Sequence, residues 1–306
     1  MDQFLQQLIN GLSLGSIYAL IALGYTMVYG VLRFINFAHG DVFMLGAYVG
    51  LYSGRYLSNK MQAEPSILLA VAVLAISMVV CAIVGVVIER LAYAPLRSRP
   101  RLTVLITAIG VSLFLEYGGQ QFFGAGPHFF EPILPNYEVH TGALSITSNQ
   151  LIVLSVTVVL LVGLTFIVLK TKMGTAMRAL SFNPTAASLM GINNNVIISF
   201  TFGLGSALAA AAGILWALNY PSINPLMGLL PGIKAFVAAV LGGIGNIPGA
   251  ALGGLILGVT ETLVVGYSDR LHIPPSYRDA VAFVVLIVIL LFKPSGLLGK
   301  STSEKV

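Results

Sequence analysis

Few residues in this chain have the types and spacing that covalent or metal chemistry requires. Its histidines are scattered, and they form neither a metal-ligand set nor a Ser/His/Asp arrangement: His39, His128, His140 and His272. A stretch near the carboxyl end, 296–301, resembles the end of a phosphate-binding loop, but Pro294 stands where that motif requires its first glycine. The sequence therefore predicts neither a metal centre nor a nucleotide site in this chain.

Three ionisable residues lie inside apolar sequence, where burying a charge is costly and a functional role is the first suspicion. They are Glu116, Lys234 and Glu261. Glu116 and Lys234 lie near the ends of apolar runs, from which long side chains reach a membrane interface. Glu261 is more central, and two interpretations stay open for it, a proton or cation site and an ion pair with a neighbouring helix.

Polar residues interrupt the first apolar region, where Asn36, His39 and Asp41 follow one another closely. Backbone that leaves the helix at membrane depth must be buried in protein or line a wet cavity. The three side chains would then contact a polar solute in a path through the membrane. The alternative is that they cap the helix that begins near Gly40, where an acidic side chain is favourable.

A second interruption lies in the last third of the chain. It combines glycines, an amide and a proline that make an unbroken helix improbable: Gly242, Gly243, Gly245, Asn246 and Pro248. The spacing of Gly245, Gly249 and Gly253 also suits close helix packing. Path lining and tight packing are both open interpretations. Broken segments at matching places in two halves are the best sequence pointer to a transport path, and we match this break to the first.

The segment 170–195 is too long for a tight turn and has its own helical pattern. Small and apolar residues recur at helical spacing, Asn183-Pro184 breaks or starts a helix, and Gly191 can end one. An interfacial helix resting on lipid would carry a stronger basic face than the lone Arg178 supplies. The pattern favours a short helix that docks onto a partner protein.

Composition decides which elements hold these residues. Of the 306 residues, 57% are hydrophobic and 9% are charged, whereas soluble domains carry about 25% charged residues. With roughly 20 residues for each span, we expect an all-α polytopic membrane protein with about eight to ten transmembrane or re-entrant helices. We further expect two related halves with broken helices and a single transmembrane domain over 1–306, without room for a soluble ATP-hydrolysing domain.

Basic residues predict the orientation, because Lys and Arg are retained in cytoplasmic loops. They are concentrated in the segments 89–101 and 170–195 and in the tail after Phe292, whereas the connection 124–148 has none. That connection should face outside. For the first ninety residues, three full spans would put the amino terminus outside, whereas an inside terminus requires that roughly 34–57 re-enter without crossing or split into two passes. We favour the inside terminus. For 231–245 and 247–266 we expect a hairpin that enters and leaves on the outer side. The net charge of +5 does not indicate nucleic-acid binding, since the basic residues flank apolar runs.

Several long motifs in a fixed order resemble one permease family. They are the opening run 10–30, the run Ile35-Asn36-Phe37-Ala38-His39-Gly40-Asp41, Glu89-Arg90, Arg97-Ser98, the loop from Arg178 to Gly191, Lys234-Ala235-Phe236 onward to Gly254, and Pro294-Ser295-Gly296-Leu297-Leu298-Gly299. Together they cover nearly the whole chain. They are similar to the LivH type of inner-membrane permease from branched-chain amino acid ABC importers.

The resemblance implies a bacterial inner-membrane importer with a homologous second permease subunit, two ATP-binding subunits and a periplasmic substrate-binding protein. It implies that this chain binds no cofactor, because the partner subunits use the ATP, and that the cargo is leucine, isoleucine or valine. The segment 170–195 would be the coupling helix seated in an ATPase groove. By the same resemblance the coupling residues are Gly174, Arg178, Asn183, Pro184 and Gly191.

Three alternatives stay open from the sequence. Members of this permease type also carry urea, short amides or other amino acids, so the cargo is open within the family. An ion-coupled secondary carrier would use Glu116 or Glu261 as its ion site. A membrane-embedded enzyme would need a catalytic cluster that the sequence does not display.

Overall fold

A computed structural model describes residues 2–61, 64–97, 99–141, 144–272 and 274–299. Ser98 and the predicted cytoplasmic charges Lys300 and Lys305 lie outside these residues. Within them the helices are α1 (Asp2–Leu32), α2 (His39–Met61), α3 (Ile67–Ile88), α4 (Arg101–Phe123), α5 (Ser148–Lys170), α6 (Lys172–Phe182), α7 (Pro184–Leu189), α8 (Asn194–Asn219), α9 (Leu229–Gly242), α10 (Ile247–Gly266), α11 (Ser268–Leu271) and α12 (Arg278–Phe292). A π-helical turn, Glu89–Tyr93, and a 3-10 turn, Ala94–Leu96, extend α3.

The helical fold class is confirmed, and the described residues add four short strands outside the helices. Two pairs form, both antiparallel: β1 (His128–Phe129) with β4 (Ser222–Ile223), and β2 (Glu138–Thr141) with β3 (Leu144–Thr147). In the described chain, seven helical segments are long and apolar enough to cross a membrane: Asp2–Leu32, Ile67–Leu96, Leu102–Phe123, Ser148–Lys170, Asn194–Asn219, Ile247–Gly266 and Pro275–Phe292. Helices α2 and α9 pack against these spans.

Burial divides the spans into two classes. Most residues of the spanning windows of α1 and α8 are buried, whereas fewer than a quarter of those of α3, α4, α5 and α12 are buried on this chain. Helix α1 packs on α8, α10 and α9, and α8 packs on α3 and α2. The two central helices therefore form the core, and the outer helices offer apolar faces to lipid or to other subunits.

The amino terminus lies on the face that carries the connection 124–148. The Gln6 side chain donates to the Ser145 carbonyl (2.9 Å) and accepts from its N–H (2.9 Å). Gln150, in the first turn of α5, donates to the Asn10 side chain (2.9 Å). With the connection outside by its lack of basic residues, the amino-terminal end of α1 is outside too. The inside amino terminus favoured from the sequence is wrong.

The turn between α9 and α10 lies on the opposite face. Residues of this turn line one cavity together with Arg33 at the end of α1 and Arg178 of α6, and Arg33 donates to the Ser181 carbonyl (3.3 Å). This is the basic, cytoplasmic face. Helix α9 starts beside Gly40 and runs to the cytoplasmic face, from which α10 returns. The expected hairpin entering and leaving on the outer side is therefore wrong.

The chain contains two halves of opposite orientation. Helix α1 runs inward and is followed by Ile35-Asn36, a short turn and α2, of which Gly40 is the second residue. Helix α8 runs outward and is followed by Ile223-Asn224, a turn ending at Gly228, and α9. The packing repeats as well, since α10 lies on α1 and α3 lies on α8. This is an inverted-topology repeat of the kind found in many transporters. Two related halves are present, but the break after α1 matches 223–228 and not 242–249.

The first and second halves meet through glycines. A Cβ on Gly40 would lie 2.6 Å from the Gly228 carbonyl oxygen, and a Cβ on Gly228 would overlap the backbone of Gly40. The same holds where α10 crosses α1, since a Cβ on Gly258 would overlap the backbone of Gly15 and one on Gly254 would lie 2.5 Å from that of Ala19. Small residues let the backbones of membrane helices touch, and these glycines hold the repeat together.

Gly258→Leu should prevent α10 from docking on α1, because the new side chain meets backbone that cannot move aside. Overpacking of a tight contact costs about 1–3 kcal/mol, and occasionally more. We expect little monodisperse protein after detergent extraction, as measured by fluorescence size-exclusion chromatography. Gly163→Leu on α5 is the matched control, because a Cβ there has open space. Equal yields of the two variants would contradict the proposed crossing.

Candidate functional site

The predicted residues of the first break lie in a buried junction between four elements. Asn36 is 4% exposed, and its Oδ1 accepts from the Tyr93 hydroxyl (2.6 Å) in the π-helical turn after α3. Asp41, 2% exposed, accepts from the Ser112 hydroxyl of α4 (2.5 Å). Each of these two side chains therefore connects the start of α2 to a different neighbouring helix.

His39 points from the same turn towards α1. It is 1% exposed, and its ring stands edge-on to Tyr25 with 4.7 Å between the ring centroids. A Cβ on Gly24 would overlap this ring, so Gly24 makes room for the imidazole. The Nε2 atom of His39 is buried without a hydrogen-bond partner in the described part of the chain. All three predicted residues of the first break are thus brought together in one interior junction.

The second break lies at the cytoplasmic face and is closed by the tail. The N–H groups of Leu297 and Leu298 donate to the carbonyls of Leu241 (2.8 Å) and Gly242 (3.0 Å). Gly243 has φ +102°, a conformation that favours glycine. The tail motif that resembles a phosphate-binding loop therefore caps the end of α9, where helix carbonyls would otherwise be unpaired.

Asn246 and Pro248 start α10. The Asn246 Oδ1 accepts from the Gly249 N–H (3.1 Å) as an N-cap, its Nδ2 donates to the Leu298 carbonyl (2.7 Å), and Pro248 stands within the first turn. Gly242 and Gly249 are in backbone contact where α9 meets α10, which is the tight-packing role. Gly245, with φ +92°, instead lines a cavity of about 460 Å³ at the cytoplasmic face. The two predicted path groups therefore lie in different places.

The segment between α5 and α8 forms the predicted short helices on the cytoplasmic face. Helix α6 buries Gly174, Met177 and Leu180, and α7 buries Ala187. A Cβ on Gly174 would overlap the Val168 carbonyl at the end of α5. Because of this contact, α6 lies directly against the spanning helix that precedes it.

The other predicted coupling residues shape this segment. The Asn183 Oδ1 accepts from the N–H groups of Thr185 and Ala186 (both 3.0 Å), and Pro184 stands at the first position of α7. Gly191, with φ +84°, ends the segment, and the Ile192 N–H donates to the Ala187 carbonyl (3.1 Å) as in a Schellman cap. Arg178 is exposed and donates to the Thr175 hydroxyl within α6 (3.3 Å).

Three large apolar side chains stand out from the tips of α6 and α7. Phe182 is 86% exposed, and Leu189 and Met190 are each 83% exposed. They lie on the face that the basic residues assign to the cytoplasm, and not among the lipid-facing spans. Exposed apolar clusters of this kind mark protein interaction sites. We refer to Phe182, Leu189 and Met190 as the apolar tip.

A buried charge cluster beside this segment was not predicted. Glu89 is fully buried; it accepts from the Ser199 hydroxyl (2.6 Å) and forms an ion pair with Arg97. Arg97 also donates to the Asn195 side chain (2.6 Å) at the start of α8. Burial lowers the pKa of the Arg97 guanidinium, although arginine stays protonated in proteins. The adjacent Asn194 donates to the Pro184 carbonyl (3.0 Å), so α7, α8 and the end of α3 are connected.

A second charge cluster joins α1, α9, α10 and α12. The Lys234 ammonium lies 2.7 Å from Glu261 Oε1 and 2.6 Å from Asp279 Oδ1, and Arg278 Nε lies 3.0 Å from Glu261 Oε1. The Tyr18 hydroxyl donates to Glu261 Oε2 (3.0 Å). Of the two interpretations left open for Glu261, the structure contains the interhelical ion pair. Arg278 and Asp279 were missed, because they stand where the last apolar run begins.

Two cavities adjoin this second cluster. One, of about 650 Å³, is lined by Glu261, Arg278 and polar residues of α1, α5 and the outer connection. The other, of about 420 Å³, is lined by Lys234, Arg278, Asp279 and mostly apolar or aromatic side chains. Among the described residues, no group of three or more His, Cys, Asp or Glu side chains could hold a metal ion.

An inverted repeat of spanning helices, with broken segments between its halves and an exposed apolar tip on its basic face, defines a membrane transport protein. The family described as branched-chain amino acid transport system, permease component, matches residues 7–290, and the chain belongs to this family. It is therefore a multi-pass permease subunit and not itself an enzyme.

Relatives match the chain along nearly its full length. It is 44% identical to the high-affinity branched-chain amino acid transport system permease protein BraD of Pseudomonas aeruginosa, over 99% of this chain and 98% of the relative. It is 42% identical to the corresponding permease protein LivH of Escherichia coli K12, with the same coverage of both chains. A probable LivH of Methanocaldococcus jannaschii is 31% identical over 93% of this chain and 89% of that protein.

Proposed function

We propose that this chain moves leucine, isoleucine and valine across the bacterial inner membrane as one half of a paired permease, driven by ATP hydrolysis in partner subunits. The observation that carries the proposal is the 44% identity, over 99% of this chain, to a permease named for high-affinity branched-chain amino acid transport. The proposed partners are a homologous second permease subunit, two ATP-binding subunits and a periplasmic substrate-binding protein.

The apolar tip is the proposed docking site for an ATP-binding subunit. Its three side chains are more than four-fifths exposed on the basic face, where an apolar cluster gains most by burial against a partner. Gly174, Arg178, Asn183, Pro184 and Gly191 are proposed to act through it: Gly174 fixes α6 on α5, and Asn183, Pro184 and Gly191 set the bounds of α7. Arg178 is available to an acidic partner group.

Movement of the docked segment would reach the path through α8. Asn194 joins α7 to α8, and Arg97 joins α8 to the end of α3. Through Tyr93 and Asn36 the same region is bonded to the first break. In this proposal, closure of the ATP sites shifts α6 and α7 and rocks the two inverted halves about their broken segments.

The proposed path residues divide by role. Asn36, His39 and Asp41 form the junction about which the halves would move. Gly242, Gly243, Asn246 and Pro248 hold the turn of α9 and α10 at the inner end, and Gly245 faces the cavity there. The glycine contact between Gly40 and Gly228 lies between the two inverted halves, which makes it the natural pivot.

The test is uptake by the complete importer in proteoliposomes. The tagged chain is extracted in mild detergent, co-purifying subunits are identified, and labelled leucine uptake is measured with the binding protein outside and ATP or a non-hydrolysable analogue inside. We expect uptake with ATP alone, unaffected by collapse of ion gradients, and competition by isoleucine and valine. Uptake driven by a gradient without ATP would contradict the proposal, as would competition by urea and not by valine.

A further inference from the structure

The cavity of about 420 Å³ is lined by two chemically distinct sets of residues. Lys234, Arg278 and Asp279 supply its charged groups. The remaining wall is largely aromatic and aliphatic: Tyr18, Trp216, Tyr220, Leu226, Met227, Leu230 and Pro231. Small-molecule sites typically have volumes of about 300–1,000 Å³, with apolar walls and a few polar groups that orient the ligand. The cavity has this build.

The charged residues divide into an interior pair and an accessible pair. The side chains of Lys234 and Glu261 are 4% and 1% exposed and lie 2.7 Å apart, and Tyr18 donates to Glu261 as well. Those of Arg278 and Asp279 are 45% and 37% exposed, and their nearest ion-pair atoms are 3.8 Å apart. Lys234 also lies 2.6 Å from Asp279, and Arg278 lies 3.0 Å from Glu261, so the four charges form one network. Arg278 and Asp279 are the more exposed members of this network, and both line the cavity.

Arg278 retains donors that its interior contacts do not use. Its ion pairs to Glu261 and Asp279 go through Nε, whereas a guanidinium carries five N–H donors in a planar fork that matches a carboxylate. Asp279 keeps acceptor capacity towards an ammonium group, since a carboxylate accepts about four hydrogen bonds. A ligand that carries one carboxylate and one ammonium on adjacent atoms would satisfy both side chains.

We propose that this cavity is an intramembrane subsite for an α-amino acid zwitterion, with the ligand carboxylate on Arg278, its ammonium on Asp279 and its aliphatic side chain against Trp216, Leu226 and Leu230. The inference rests on the proposed function and adds to it a selectivity filter within the permease itself. The adjoining cavity of about 650 Å³ also reaches Arg278, and it is the entrance from the outer face.

The sequence alone argues against such a subsite, because no strong carboxylate-binding arginine stands inside an apolar run. Arg278 is not inside an apolar run, because it is the first residue of α12. Helix α12 packs on α9 and α10. The competing account is that the four charges only hold α9, α10 and α12 together. The two accounts differ in one respect: only a binding subsite distinguishes ligands by their charged groups.

The experiment measures equilibrium binding of labelled leucine to the purified complex of permease and ATP-binding subunits, without the substrate-binding protein. Competitors are leucinamide, which lacks the carboxylate, and 4-methylpentanoate, which lacks the ammonium. For the wild type we expect saturable leucine binding and at least tenfold weaker competition by either analogue. Equal competition by unlabelled leucine and by the two analogues would overturn the inference without any variant.

Two substitutions should separate the two charged contacts. Arg278→Gln should weaken leucine binding at least tenfold and abolish the preference for leucine over leucinamide, while the preference over 4-methylpentanoate persists. Asp279→Asn should give the reverse pattern. Arg278→Lys should restore part of the affinity, and Arg270→Gln, at an exposed position of α11, should change nothing. Weaker binding with unchanged preferences, or complete loss of binding in every variant at Arg278 and Asp279 including Arg278→Lys, would assign the cluster to holding the helices together and overturn the inference.

The failure of this inference and of the proposed function give different results. If leucine shows no saturable binding to the purified complex, but ATP-driven leucine uptake is intact when the substrate-binding protein is added, the subsite is overturned and the proposed function is not. Absent leucine uptake by the complete wild-type system overturns the proposed function.

Discussion

Leu189→Asp should reduce ATP-driven leucine uptake more than about tenfold and release the ATP-binding subunit during purification. Leu189 is 83% exposed at the end of α7, so an acidic side chain there leaves the fold of the permease intact. Removal of a central apolar anchor from an interface typically costs about 2 kcal/mol or more, and a charge adds a desolvation cost. Uptake in proteoliposomes and the ratio of co-purified subunits are the two measurements.

Tyr137→Asp provides the control for docking. Tyr137 is 66% exposed in the outer connection, on the face opposite to α7, and its replacement should leave the subunit ratio unchanged.

Gly191→Glu should lower uptake and the subunit ratio as Leu189→Asp does, because φ +84° at residue 191 disfavours a side chain and the end of α7 would shift. A normal subunit ratio and normal uptake in both variants would show that the apolar tip does not dock an ATP-binding subunit.

Glu89→Ala should destabilise the permease by about 3–5 kcal/mol, the usual cost of leaving one partner of a buried ion pair uncompensated. Glu89 is fully buried and holds both Arg97 and Ser199, so its removal also frees the start of α8. We expect a large drop in the apparent melting temperature of the detergent-solubilised protein. The double variant Glu89→Ala/Arg97→Ala should recover part of the loss, because no unpaired charge remains.

Glu131→Ala is the matched control for Glu89→Ala. Glu131 also pairs with an arginine, Arg55 (2.9 Å), but their side chains are 54% and 36% exposed, and such surface pairs contribute about 0–1 kcal/mol. Its melting temperature should stay close to that of the wild type. If Glu131→Ala were as damaging as Glu89→Ala, burial would not explain the importance of the inner cluster.

The helical class and the segment 170–195 could be predicted because their signals are local. Long apolar runs indicate spans by themselves, and the helical pattern around Asn183, Pro184 and Gly191 marks α6 and α7 with no reference to the rest of the chain. The sidedness of α1 could not be predicted in the same way. Helix α2 is too polar to register as a span, and without it the number of crossings before the Arg-rich segment is ambiguous.

The matching of the two halves failed for a related reason. Breaks at 36–40 and 242–249 share glycines and an asparagine, but the second is the turn between two antiparallel helices at the cytoplasmic face. The run Ile223-Asn224, followed by Gly228, repeats Ile35-Asn36, followed by Gly40, at the same spacing. This short signal was available in the sequence, and only the opposite direction of α1 and α8 in space gives it meaning.

The charge clusters depend on contacts between distant parts of the chain. Glu261 and Lys234 were both identified as unusual residues in apolar sequence, but their pairing follows from the packing of α9 on α10. Arg278 and Asp279 joined them only because α12 starts beside both helices. The residue type indicates that a buried charge needs a partner, whereas the tertiary structure decides which residue that partner is.

The cap that the tail places on α9 has a consequence for biogenesis. Leu297 and Leu298 leave the ribosome after α9, α10 and α12, so the carbonyls of Leu241 and Gly242 lack these donors while those helices enter the bilayer. The second inverted half therefore reaches its final form only after translation has passed residue 298. A chain stalled or cleaved after Phe292 would lack both donors, and the carbonyls of Leu241 and Gly242 would stay without these partners.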